Sequence, residues 1–280
     1  MKLTVLGSGS PEAYARRASS GFLLEVGGDR VLFDCGGGVF DNLLRAGLLP
    51  SDITHLVFSH LHSDHMMDYA RLVHAAWDEG GAPLKVFGPA PLARITEGYF
   101  GREGVLAHDL IARTELKGSQ EVWLARGGTL PRHWPAPEVT EITAGAVIDG
   151  DGWRITAATA THAQPYLDCM GFALEAGGKK FVYSGDSGIT PGIEALAQNA
   201  DLLVHWCYRL EGVSMSAAME AVTPTPAEIG AMATRAGVKR LLLSHFRVYM
   251  DARLEQAKAT LAAHFDGPCG VVEDLDVFEI

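Results

Sequence analysis

The sequence has only four cysteines in 280 residues, Cys35, Cys169, Cys207 and Cys269, and no C-x-x-C pair among them. They are too few and too scattered for a disulfide scaffold, a thiolate zinc site or a redox motif. Basic runs are lacking as well. The densest are Arg16-Arg17 and Lys179-Lys180, and 23 Lys plus Arg against 34 Asp plus Glu leave a formal charge of -11. A general nucleic-acid binder needs a basic face to replace the counterions of the phosphate backbone. The balance therefore disfavours nucleic acid as a partner and favours a small-molecule substrate. No apolar stretch is long enough to span a bilayer, and the opening MKLTVLGSGSP reads as a first strand, not a signal peptide. The expectation is a cytoplasmic protein with no membrane partner. The turn GSGSP also lacks G-x-G-x-x-G, which weakens a dinucleotide reading.

What is present is ordinary globular material: 48% hydrophobic and 20% charged residues. A chain of this length can bury about three quarters of its unfolded surface in one domain, so residues 1-280 are expected to form one. The 32 glycines point to many tight turns. Strands are expected at 2-6, 21-26, 30-34, 53-59, 84-88, 153-159, 170-176, 179-184, 200-206 and 238-244, with a last one over 270-278. Hairpins are expected across residues 21-34 and 170-184. Helical patterns cover 39-46, 65-77, 191-198 and 253-265. Thr225, Pro226 and Glu228 open a further helix with a capping box. Prolines 131, 135 and 137 forbid a regular element there, so residues 90-145 read as an excursion from the core, a lid or pocket wall. Two sheets packed together with helices outside would bury the apolar runs.

The strongest signal is His60-Leu61-His62-Ser63-Asp64-His65, directly after the apolar run ITHLVFS. Alternate residues at a strand end share a face, and the turn that follows brings Asp64 and His65 to the same space. Imidazole and carboxylate are ligands for zinc and related divalent ions. Four such groups exceed one tetrahedral site that keeps a position open for water, which points to two metals. Further candidates stand at other strand ends: His162, Asp186 and His245. The seven metal candidates are thus His60, His62, Asp64, His65, His162, Asp186 and His245.

HLHSDH has the H-x-H-x-D-H form of the metallo-β-lactamase superfamily, and the order His162, Asp186, His245 matches its remaining ligands. LGSGSP, LLEVGGDRVLFDCGGG, GDS and AGVKRLLLSHF resemble its ribonuclease Z and arylsulfatase-type branch. The resemblance spans nearly the whole chain. It implies an α/β fold, a four-layer αβ/βα sandwich of two mixed sheets flanked by helices. It also implies one metal on His60, His62 and His162, a second on Asp64, His65 and His245, and Asp186 bridging them. Asp64 would orient the attacking water. Zinc is the expected ion, with manganese and iron as alternatives.

Two departures from that branch stand out. Its H-E-A-T segment reads His205-Trp206-Cys207-Tyr208 here, so tryptophan replaces the glutamate that supports a proton-donating histidine. That histidine belongs to an H-S-T segment, and Val222-Thr223-Pro224-Thr225 contains none. No Gly/Pro/Lys-rich tRNA-binding arm is found. The expectation is a dinuclear hydrolase using a metal-bound hydroxide on a small phosphodiester. The alternatives are a lactone, a cyclic amide, a carboxylic or sulfate ester, or a non-hydrolytic metal-binding or di-iron redox protein. Asp64 and His205 are the catalytic candidates. Arg17, His133, Trp134, Tyr166, Trp206 and Tyr208 are candidates for the substrate pocket. A homodimer is the expected assembly.

Overall fold

A computed structural model describes residues 1-280. Fourteen strands make two seven-stranded mixed sheets. The first contains β1 (Lys2–Gly7), β2 (Gly21–Val26), β3 (Asp29–Phe33), β4 (His55–Val57), β5 (Lys85–Gly88) and β6 (Glu138–Glu141). The second contains β7 (Val147–Asp149), β8 (Trp153–Thr159), β9 (Met170–Ala176), β10 (Lys179–Tyr183), β11 (Leu202–Trp206), β12 (Leu241–Ser244) and β13 (Cys269–Val271). β14 (Val277–Glu279) returns to the first sheet and pairs antiparallel with β1.

The sequence pattern over 270-278 reads as one strand, but the structure breaks it in two, one in each sheet. Asp276 turns the chain by accepting the Glu273 N–H, and Leu275 takes a left-handed conformation with its N–H on the Val5 carbonyl. Both hairpins form as expected. In each sheet the remaining strands run parallel, β3-β4-β5-β6 and β10-β11-β12-β13. Their carboxyl ends are where ligands and catalytic groups gather in such sheets.

Ten helices cover the two outer faces: α1 (Val39–Arg45), α2 (Ser63–Met66), α3 (Tyr69–Asp78), α4 (Leu92–Phe100), α5 (Ala107–Glu115), α6 (Lys117–Ala125), α7 (Pro191–Ala197), α8 (Ala217–Val222), α9 (Pro226–Arg235) and α10 (Leu254–His264). None is long and apolar enough to cross a membrane. The apolar residues separate into three layers, as the four-layer sandwich requires. Phe22, Phe33, Phe172, Phe181 and Tyr183 fill the space between the sheets. Leu6, Leu32 and Leu56 meet α1, α3 and α4 outside the first sheet. Leu203, Leu241 and Leu243 meet α7, α9 and α10 outside the second. The reciprocal Thr225–Glu228 cap starts α9 as its sequence requires.

The excursion is not a lid. α4 to α6 extend the outer layer, with Leu92, Phe100 and Leu110 buried in it. β6 is parallel to β5 with Glu138 opposite Lys85. The proline-rich stretch before β6 therefore lies where β5 begins, the far end of the sheet from His60.

Candidate metal centre

Every residue of the cluster is placed by a strand end or the turn just after it. β4 ends and delivers Ser59 and His60; one turn of α2 then presents Asp64 and His65. This turn docks tightly on the end of β3. The Cys35 N–H donates to the His65 carbonyl at 2.7 Å, and the Asp68 N–H donates to the Cys35 carbonyl at 3.1 Å. Gly36 permits the approach, since a Cβ there would stand 2.1 Å from the Asp64 carbonyl oxygen. β8 and β10 are parallel to each other through their shared neighbour β9, so His162 and Asp186 leave the same end of the second sheet. His245 follows β12 in the left-handed region, φ 67°, with its N–H on the Ser8 carbonyl. Non-glycine residues take that conformation sparingly, and such strain concentrates at functional sites.

The seven side chains converge. Ligand atoms of His60, His62 and His162 lie within 4.8 Å of one another, and so do those of Asp64, His65 and His245, and of His60, His65 and Asp186. Asp186 stands between the groups: Oδ1 is 3.5 Å from His65 Nε2, and Oδ2 is 3.2 Å from His245 Nε2 and 3.8 Å from His162 Nε2. His60, Asp64, His65, Asp186 and His245 are buried, while His62 and His162 are half-buried. The cluster therefore opens to solvent on the His62–His162 side.

A layer behind the cluster sets the imidazole tautomers. Asp34 accepts from the Ser59 N–H at 2.7 Å, the Ser59 hydroxyl at 2.7 Å, His65 Nδ1 at 2.8 Å and the Tyr183 hydroxyl at 2.8 Å. His65 Nε2 is thereby aimed inward. The Ser59 hydroxyl, its proton given to Asp34, accepts from His60 Nδ1 at 3.0 Å and so aims His60 Nε2 the same way. Such outer partners are how ligating histidines are oriented. Sequence reasoning did not single out Asp34 or Tyr183. The available signal was a charged residue closing the apolar run RVLFD.

The residues fit a pair of divalent ions. His62 Nδ1 is 3.0 Å from His60 Nε2 and 3.2 Å from His162 Nε2; imidazoles on one tetrahedral ion with bonds of 2.0–2.1 Å stand about 3.3 Å apart. Buried His65 Nε2 and Asp186 Oδ1 have no hydrogen-bond partner. Burial holds His60, His62 and His162 below the ordinary imidazole range, in the neutral ligating form. Burial alone would raise Asp64, but the hydrogen bond from His245 and the charge of His65 bring it below the usual carboxylate range. Asp186 is likewise lowered against its burial by His245 and His65. His65 goes the other way: burial opposes its charge, yet Asp186 and Asp34 hold it well above the ordinary value.

The pocket candidates divide. Trp206 and Tyr208 flank the cluster. The Trp206 ring meets His162 edge-on at 5.0 Å and His245 at 5.4 Å, and Tyr208 stacks on Trp206 at 5.6 Å. His205 is placed elsewhere. Strand alternation puts it on the opposite face of β11 from Trp206, beside Leu243 of the helix-side core. Its Nδ1 donates to the Trp206 carbonyl, and burial lowers it to about 4. It is not presented to the cluster. Arg17 does not line the pocket either: its side chain is fully buried, and four of its five N–H donors go to Asp251, Ser8, the Val272 carbonyl and Glu273. Tyr166 is 89% exposed. His133 and Trp134 lie at the far end of the first sheet, where they help line an apolar cavity of about 340 Å³ that includes no cluster residue.

A sequence model of the β-lactamase superfamily domain matches residues 29–246. The chain belongs to this family. A ribonuclease Z from Mycobacterium bovis (strain BCG / Pasteur 1173P2) is 30% identical over 290 residues, covering 100% of this chain and 98% of the relative. Among solved structures, the metallo-β-lactamase fold protein YhfI from Bacillus subtilis superposes with a TM-score of 0.73 at 22% identity, covering 99% of each chain. The short form of human tRNase Z gives 0.70 at 22% identity, covering 100% of this chain and 99% of that one. The fold is thus the metallo-β-lactamase fold, and the chain is a hydrolase of that superfamily.

Proposed function

We propose that the protein is a dinuclear metal-dependent hydrolase of a small phosphodiester. The observation that carries this reading is the Asp186 carboxylate standing between two sets of imidazoles, with one oxygen toward His65 and the other toward His162 and His245. His60, His62 and His162 would hold one ion and Asp64, His65 and His245 the other, with Asp186 shared. Zinc suits the histidine-rich set, and manganese and iron are admitted by it. Two such ions supply Lewis acidity and lower the pKa of water toward neutrality.

The chain's own residues do the rest. Asp64 Oδ2 lies 3.1 Å from His245 Nε2, a separation that suits two ligands of one ion; its other oxygen is assigned to orient the attacking water. Asp34 keeps the His65 and His60 rings aimed inward. The half-buried His62–His162 edge admits the substrate. Water adds across one P–O bond, giving a phosphomonoester and an alcohol. The whole-length similarity to proteins named ribonuclease Z favours phosphodiester chemistry. Against RNA itself stand the net charge of -11 and the absence of a histidine in segment 222-225.

The test is hydrolysis of bis(p-nitrophenyl) phosphate by protein of measured two-metal content, beside Asp64→Ala at matched content. Turnover in the first and a loss of at least a hundredfold in the second is the expected result. No turnover by the loaded protein, with cleavage of lactone, amide or sulfate-ester substrates instead, would overturn the phosphodiester assignment. Processing of a tRNA precursor would transfer the substrate to RNA.

A further inference from the structure

The turn that carries Asp64 and His65 is tied down a second time, by a side chain outside the cluster. Asp68 follows His65 in the same segment and is the N-cap of α3. An aspartate in that position ordinarily accepts from the first turn of its own helix. This one does not: its side chain makes no capping bond to α3. Its Oδ2 instead accepts the Gly38 N–H at 2.8 Å and the Phe40 N–H at 3.0 Å, 30 and 28 residues back.

Those two donors open α1. Gly38 is its N-cap, held in the left-handed region at φ 93°, and has no side chain with which to cap it. First-turn N–H groups need an acceptor from outside the helix, and a carboxylate suits the positive end of the helix dipole. Asp68 therefore gives up its own helix to cap another.

The backbone of the same segment is clasped as well. Cys35 donates its N–H to the His65 carbonyl and accepts the Asp68 N–H, at 2.7 and 3.1 Å. The glycine turn Cys35-Gly36-Gly37-Gly38 is thus fastened to residues 65–68 at both ends, by main chain at Cys35 and by the Asp68 carboxylate at Gly38. Asp34, one residue before Cys35, fixes the His65 ring; the clasp fixes the backbone that carries it. His60 and His62 precede this clasp at the end of β4, and His162 belongs to the second sheet.

We infer that Asp68 is a positioning residue for one ion of the pair. It locks the Asp64–His65 turn onto α1 and so fixes the ligand set Asp64, His65 and His245, while His60, His62 and His162 are set independently of it. The inference rests on the two-ion reading and deepens it by making the two sites unequal in what holds them.

The experiment is a stepwise titration of the full chain with Co²⁺ against a chromophoric chelator, using wild type, Asp68→Asn and Asp68→Ala. His245→Ala, which removes a ligand of one set only, assigns the steps. Wild type should bind two ions. Asp68→Ala should weaken the step that His245→Ala abolishes by about 10–100-fold and leave the other unchanged, with the cobalt absorption altered for the weakened ion alone. Asp68→Asn should recover most of the loss, because its amide oxygen can accept the same two N–H groups. If Asp68→Ala does not fold, Asp68→Ser replaces it: serine caps α3 well but its side chain is one atom shorter and releases Gly38 and Phe40.

Equal weakening of both steps overturns the inference, since the residue then only loosens the fold. Weakening of neither step overturns it too, as does a loss in Asp68→Asn equal to that in Asp68→Ala. A wild type that binds a single ion removes the two-ion reading and the inference together. The expected unequal weakening, in a protein that cleaves no phosphodiester, keeps the inference and removes only the phosphodiesterase assignment.

Discussion

Two aspartates at opposite ends of the first sheet show how differently one side chain is used. Asp34, fully buried behind the cluster, collects a backbone N–H, two hydroxyls and one imidazole. Asp78, at the far end, collects three guanidiniums: Arg132 at 2.7 Å, Arg126 at 2.9 Å and Arg113 at 3.3 Å. Arg132 lies between the rings of Trp77 and Trp123, 3.9 and 4.4 Å from their centroids. Far from bulk water, a carboxylate needs every acceptor site satisfied, and a backbone N–H, two hydroxyls and a ring N–H do this while also fixing ring orientation. Near the surface, charge pairing is available and solvent screens it. The first arrangement transmits geometry to the ligands; the second pins a loop.

The comparison predicts a graded series. The largest effect should come from Asp34→Ala, which leaves Ser59, His65 and Tyr183 without their acceptor. A destabilisation of about 3–5 kcal/mol and a fall in metal affinity of about 10–100-fold are expected, read by chemical denaturation and metal titration. Tyr183→Phe removes one donor and keeps the ring. It should cost about 1–2 kcal/mol and lower metal affinity less than Asp34→Ala does.

Asp78→Ala should cost the least, about 1 kcal/mol or under at low salt, with metal binding unchanged. Burial would raise this carboxyl, but hydrogen bonds from Arg132 and Arg126 lower it from 3.8 to about 2. Its stabilising contribution is therefore full above about pH 4 and is lost as pH falls through about 2. Subtracting the Asp78→Ala acid-denaturation curve from that of wild type isolates this contribution. If Asp78→Ala weakened metal binding as Asp34→Ala does, the contrast between the two ends would collapse.

Much of the architecture is legible in the residues because the signals are local. The apolar run GFLLEV, the alternation in WRITAAT, the glycine turns of both hairpins and the Thr225–Glu228 cap act over a few residues, and each element forms where its pattern places it. The His60–His65 run is equally local, and the other three cluster residues each close an apolar run. The readings that fail depend on long-range packing. His133, Trp134 and Arg17 are plausible pocket residues by type. Only the parallel pairing of β5 with β6 sends the first two to the far end, and Asp251, Val272 and Glu273, more than two hundred residues on, take three of the Arg17 donors.

His205 and Trp206 show the division most sharply. They are neighbours in sequence, and one residue of strand register decides which faces the cluster. The sequence by itself determined the residue types, the strand-end positions of seven side chains able to ligate a metal and the family. The tertiary structure decided that Asp186 stands between the two sets, that Asp34 orients them, and that Trp206 and Tyr208 form the adjoining wall. Ligation chemistry belongs to side chains singly, whereas orientation and access arise only when separate strands are brought into register.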